Sequence, residues 1–179
     1  VCIASGPSLT QADVDQIKSW REEQAGRAVI VTNTSYRIAP WADVLYAMDR
    51  PWWKQHYSEV LRLFKGRLLT VSDWGKRTER VIGEFGGNSG AGAMCLAAEW
   101  GARRVIMVGY DCEYAPDGKR HWHGDHPKAL GNCESIGKFP AQFAKIVPRL
   151  AACEVLNASR HSILDFWPRI ELERALAIK

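Results

Sequence analysis

The residue types best suited to chemistry are concentrated in one six-residue string, His121-Trp122-His123-Gly124-Asp125-His126, which holds three of the five histidines in the chain. Imidazole titrates near neutrality, so it can give or take a proton, and its neutral form is a common metal ligand. The string lies within residues 111–134, which lack apolar periodicity and are rich in Gly, His and Asp. A loop this long inside a small domain is either functional or disordered. The pattern predicts a lid over 111–134, with His123 and His126 supplying the acid or base and no metal assigned. A local metal site is the competing use of the same side chains.

Two glycine-bearing turns follow strand-like runs. Ser5-Gly6-Pro7-Ser8 comes after Val1-Cys2-Ile3-Ala4, and Gly86-Gly87-Asn88-Ser89-Gly90 opens a small-residue helix. Glycine lets a backbone approach a ligand closely, and a helix N-terminus favours an anion such as phosphate. Gly6, Pro7, Ser8, Asn88, Ser89 and Gly90 are therefore candidate nucleotide-phosphate contacts. Ordinary turn chemistry at the first turn and close helix–sheet packing at the second account for the same glycines. Asn33, Asp49 and Asp111 each end an apolar run. They can bond ribose hydroxyls or a base edge, or merely form Asx turns. Arg160 and His161, just after Glu154-Val155-Leu156, suit a phosphate or carboxylate, or a solvated turn.

These residues are positioned by a regular alternation. Short β-branched runs (Val29–Thr32, Val44–Met48, Leu68–Val71, Val105–Gly109, Glu154–Leu156) are separated by helix-length segments. That pattern predicts an α/β fold: one Rossmann-like domain over 1–179, with an open, mostly parallel sheet and helices on both faces. Such sheets bind ligands beyond the carboxyl ends of their strands, where the polar residues above fall. Expected helices run from Thr10 to about residue 25, from Arg50 to about Phe64, from Ala91 to Trp100, over about 137–152, and from Pro168 onward. Residues 74–87 read as loop with one short helix.

Of the 179 residues, 46% are hydrophobic and 25% charged, as in ordinary globular proteins, and the net charge of +4 with scattered basic residues is too weak to argue for nucleic acid. No apolar run is long enough to cross a bilayer. Five cysteines without C-x-x-C spacing predict free thiols, a reducing compartment and a cytoplasmic setting. The eight tryptophans read mostly as packing, with one or two near a pocket able to stack on a ring. An opening strand without an initiating Met predicts a few residues upstream.

The histidine string matches H-x-H-x-D-H, the zinc signature of the metallo-β-lactamase family. Further His and Asp ligands lie far downstream in that family, whereas here His161 is the sole later His, so a functional lid is expected rather than that zinc centre. Ser5-Gly6-Pro7-Ser8-Leu9 after a strand resembles the opening of the sialyltransferases of glycosyltransferase family 42. Domain of unknown function 115, of the 6-hydroxymethylpterin diphosphokinase type, opens similarly. Asn88–Cys95 and Val108–Tyr114 resemble the sialyltransferase segment of Thr-Ser-Gly, helix, strand, then Gly-x-Asp-x-Tyr. Leu156-Asn157-Ala158-Ser159 resembles its late Pro-Asn-Ser turn. Ala39–Tyr46, Gly87–Gly90 and His121–His126 are similar to a group of proteins common in phages and prophages.

The resemblance implies a nucleotide contacted by Gly6, Asn33, Ser89 and Gly90. It also implies catalytic roles for Asp111, Tyr114 and one lid His. The expected function is thus a phage-encoded transferase, glycosyltransferase-like, using a nucleotide or nucleotide-sugar donor and an acceptor that the sequence does not name. The runner-up is pyrophosphoryl transfer to a pterin-like alcohol, with Mg²⁺ at Asp49 or Asp111. A third class is a non-catalytic nucleotide binder.

Overall fold

Successive residues are buried along the central strands, so the sheet is covered on both faces. A computed structural model describes residues 1–83, 85–127 and 130–178. Seven strands, β1 (Cys2–Ile3), β2 (Ile30–Thr32), β3 (Val44–Tyr46), β4 (Arg67–Thr70), β5 (Thr78–Arg80), β6 (Arg104–Val108) and β7 (Glu154–Asn157), form one sheet in the order β5-β4-β3-β2-β1-β6-β7. Every adjacent pair is parallel. This is the open α/β, Rossmann-like architecture that the alternating pattern predicts.

Ile3, Val31, Leu45, Leu68, Ile106 and Leu156 point to one face. They pack there on α1 (Gln11–Glu23), α2 (Arg50–Leu63) and α5 (Leu172–Ala177). Their strand neighbours Cys2, Ile30, Val44, Leu69, Val105 and Val155 point to the other, against α3 (Ser89–Glu99) and α4 (Phe139–Ile146). The two-residue period thus feeds two cores at once, which is why the strands read as continuous apolar runs. The chain winds outward from β1 to β5, then returns through α3 across the opposite face to β6. The order therefore reverses between β1 and β6, where a crevice opens past the strand ends.

Local signals set most boundaries. Thr10 caps α1 through a capping box, with Thr10 Oγ1 accepting from the Asp13 amide and Asp13 Oδ2 accepting from the Thr10 amide. Pro51 sits in the first turn of α2, and Asn88 caps α3 by accepting from the Ala91 amide at 2.8 Å.

Three expectations are corrected. Residues 74–87 contain an edge strand, β5, rather than a short helix. Its Thr-Glu-Arg sequence has no apolar signal, and it is held by register with β4 and by the Arg67–Glu79 pair. The segment from Pro168 does not begin a helix. The Asn157 amide donates to Pro168 O and the Ile170 amide to Asn157 O, so this stretch runs beside β7 and α5 starts only at Leu172. The helix expected over 137–152 is a central α4 flanked by 3-10 turns at Ile136–Lys138 and Val147–Leu150, the second containing Pro148. Lys128 and Ala129 of the expected lid lie outside the described residues.

Close approach of α3 to β3 depends on Gly92. A Cβ there would lie 2.3 Å from the buried Tyr46 ring. Gly92→Ala is expected to lower stability by about 1–3 kcal/mol through overpacking, read as a lower midpoint in urea. An unchanged midpoint would show that Tyr46 yields freely.

Candidate functional site

Two adjoining cavities occupy the crevice beyond the strand ends. The smaller encloses about 590 Å³ and the larger about 1010 Å³. Asn33, Asn88, Ser89, His121, Cys133 and Phe139 line both and so form the partition between them. Gly6, Pro7 and Gly90 line the smaller cavity, and Asp49 and His126 line the larger. Most of the residues singled out in the sequence meet at this end of the sheet.

The first glycine turn is not a free anion cradle. The Gly6 amide donates to Gly109 O at 2.8 Å and the Leu9 amide to Gly6 O. The Ser8 amide donates to Asp111 Oδ2 at 2.8 Å. A Cβ on Gly6 would meet Asp111 Oδ1 at 2.0 Å, so glycine is required by the Asp111 carboxylate and not by a ligand. Asp111 is 1% exposed, and burial raises its pKa above the ordinary carboxylate range. Asp111 and Ser8 line neither cavity. Asp111 is thus a brace beneath the turn, and Asp49 alone of the two expected Mg²⁺ carboxylates faces the crevice.

The second turn is different. Asn88 Oδ1 takes the Ala91 amide, and Asn88 Nδ2 donates to Gln142 Oε1 at 2.9 Å. Ser89 Oγ accepts from the Met48 amide at 3.2 Å, tying α3 to the end of β3. The amides of Ser89 and Gly90 have no protein partner among the described residues. Both residues line the smaller cavity, at the positive end of an eleven-residue helix. Arg120, which the sequence analysis did not single out, lines the same cavity, with its guanidinium 3.9 Å from Asp125. Tyr110, Phe139 and Phe143 form an apolar wall, and Asn33 Oδ1 is buried without a partner. Asn33, Cys112 and Cys133 hold left-handed backbones at φ of 47°, 56° and 60°, and all three line this cavity. Such conformations cost of order 1–3 kcal/mol each and cluster at functional sites.

The loop that carries the histidines is pinned over the strand ends. The Trp122 amide donates to Ser5 O at 3.2 Å and its indole to Ser35 Oγ at 3.4 Å. Tyr114 lines neither cavity. Its hydroxyl donates to Cys133 O at 3.0 Å, joining the two ends of the loop. His121 is 6% exposed and its ring stacks on His123 at 5.0 Å between centroids, with His126 tilted 4.7 Å from each. Burial pushes the His121 pKa down to about 4 and that of His123 to about 3, and lowers that of His126 as well. All three are neutral at pH 7. His123 lines neither cavity, so His126 and His121 are the imidazoles that face the crevice.

His56 on α2 is buried behind this cluster, lines neither cavity and went unnoticed in the sequence. It stacks on Trp52 at 4.7 Å and approaches His126 at 6.2 Å, with its Nδ1 3.3 Å from the Tyr36 hydroxyl. The i,i+4 spacing of Trp52 and His56 was the available signal. Trp52 lines the larger cavity. The Arg160 guanidinium is engaged by Asp13 at 2.9 Å, and His161 is exposed, so neither serves the crevice. The five cysteines are free, and among the described residues no helix is long and apolar enough to cross a membrane.

Fold and site together define a Rossmann-like α/β protein with a crevice at the reversal point of its sheet. Set against known protein families, curated proteins and solved structures, the chain has no significant match in any of the three.

Burial holds the His56 pKa down near 4, against an ordinary value of about 6.5. The unfolded chain therefore binds more protons between these values, and stability is lost as pH falls through that window. His56→Phe is expected to flatten the decline of melting temperature between about pH 6.5 and 4. An unchanged slope would remove His56 as a contributor.

Proposed function

We propose that the protein binds a nucleotide-activated donor in the smaller cavity and transfers its activated group to an acceptor hydroxyl entering through the larger one. The observation that carries this reading is the pair of open amides at the N-terminus of α3, facing the same cavity as Arg120. One end of the cavity thus suits a phosphate. The other end offers an apolar wall and the unpartnered Asn33 oxygen, which suit a base and a hydroxyl or amino donor on it. The resemblance to family 42 sialyltransferases favours a glycosyl group. In that transfer the acceptor oxygen bonds to the donor carbon as the bond to the donor phosphate breaks. The nucleotide leaves as an anion held by α3 and Arg120. The acceptor's proton passes to the histidine side of the crevice. The similarity to phage and prophage proteins and the five free thiols fit work in a reducing host cytosol.

A thermal-shift screen of CMP, CDP, UDP, GDP and ATP, with and without divalent metal, tests the reading. A true ligand at a hundredfold excess over its Kd stabilises the fold by about 2.7 kcal/mol. For the nucleotide that binds, Asn33→Ala is expected to weaken affinity by about 1–3 kcal/mol in calorimetry, through loss of a buried hydrogen bond. Arg120→Ala is expected to weaken diphosphates more than the matching nucleoside. If none of the five raises the melting temperature, the nucleotide reading fails. Binding without consumption of any activated donor would make the protein a binder and not a transferase.

A further inference from the structure

We infer that His121, His123 and His126 form a three-imidazole site for a divalent transition metal of the zinc class, with one coordination position open to the larger cavity. One ligand nitrogen from each ring lies within 4.8 Å of those of the other two. Two nitrogens on a tetrahedral zinc, each about 2.0–2.1 Å from the metal, stand about 3.4 Å apart. The rings therefore need approach by little more than an ångström, which side-chain rotation supplies.

The backbone builds this convergence. The Gly124 amide donates to His121 O at 3.1 Å. Gly124 itself holds a φ of +85°, and the turn folds His126 back onto the parallel pair His121–His123. The fold holds the turn in place from both sides. Trp122 is anchored to Ser5 and Ser35, and Asn132 Oδ1 accepts from the His126 amide at 2.6 Å. These contacts fix the backbone from which the three rings project.

Packing alone does not explain the cluster. Buried polar atoms are ordinarily hydrogen-bonded, yet His123 Nε2 is buried with no partner. Asp125, the carboxylate within the string, turns instead toward Arg120. Three nitrogen donors within 4.8 Å of one another and without a carboxylate ion pair among the described residues are satisfied together by one Lewis acid. An all-nitrogen donor set disfavours Mg²⁺ and Ca²⁺, which take oxygen ligands, and favours zinc and its neighbours. Cys133 Sγ stands 3.6 Å from His121 Nε2 but falls outside the three-imidazole group. Three protein ligands with a free position are the arrangement of catalytic rather than structural zinc. There a metal activates a bound water or polarises an oxygen of a molecule in the cavity. The site stands on the geometry of the cluster and does not depend on the nucleotide reading, but it uses the same ring nitrogens, so one zinc per chain would remove these histidines as the acceptor of the proton in the proposed transfer.

The test uses the whole chain without a polyhistidine tag, stripped by chelator and then loaded with zinc. Elemental analysis and competition against a chromophoric chelator are expected to give one zinc per chain. His123→Gln and His126→Gln are expected to weaken zinc by more than about 100-fold, beyond what loss of an outer contact produces. His161→Gln, at an exposed position, retains it. The cobalt(II) form of the unsubstituted protein is expected to give a visible spectrum that azide shifts, without a thiolate charge-transfer band. Far-ultraviolet circular dichroism checks that the variants fold, and the cobalt spectrum needs no variant. Substoichiometric zinc in both measurements overturns the site, as does full affinity in folded His123→Gln and His126→Gln. A thiolate band removed by Cys133→Ser overturns the open position, because sulfur then closes the coordination sphere.

Discussion

The crevice depends on how the carboxyl end of β6 is tied to its neighbours. Asp111 lies under the first glycine turn, takes the Ser8 amide and occupies the space that any side chain at position 6 would need. On the other side the Tyr110 amide donates to Ser159 Oγ, Ser162 Oγ donates to Tyr110 O, and the Ile163 amide donates to Asp111 O. The strand end is thus clamped between the β1 and β7 turns. Neighbouring parallel strands whose crossovers run on opposite faces leave a gap between their connections. The clamp aims Tyr110 and Cys112 into the cavity while Asp111 faces away.

This has an electrostatic consequence. At the start of α1 two carboxylates are already in place, Asp111 on the Ser8 amide and Asp13 within the capping box. α3 has the neutral cap Asn88 and no acidic residue in its first turn. A carboxylate at a helix start already complements its dipole. The positive helix end left without a carboxylate is therefore that of Ser89 and Gly90, which share the smaller cavity with Arg120. The histidine loop closes the remaining side with neutral imidazoles.

Positions separated widely in sequence meet here for a steric reason. Trp122 is the anchor that ties the histidine string, within the long connection between β6 and α4, to the turns that follow β1 and β2. Its bonds to Ser5 and Ser35 set the depth at which His121 sits, and the tight turn at Gly124 then sets where His126 returns. Cys133 and Tyr114 close the excursion at its base through the Tyr114 hydroxyl.

What the sequence determined by itself was local. Runs of β-branched residues, the Thr10 and Asn88 caps and Pro51 act within a few residues of themselves, so strand and helix positions and the parallel sheet were legible from them. Because side chains at parallel strand ends collect at one edge, Asn33, Ser89 and His126 were legible as neighbours of a single crevice. The tertiary structure decided what each polar group does there. Nothing in the identity of Asp111 says that its carboxylate turns down against Gly6 instead of out to a ligand; that follows from the pairing of β1 with β6. Arg120 and Cys133 carry no local signal of a shared site, because they reach it from the loop only after folding, and the spacing of Trp52 and His56 says nothing of the contact with His126. The edge strand at Thr78–Arg80 exists because β4 offers unpaired backbone groups beside it, a constraint set by the sheet and not by the three residues themselves.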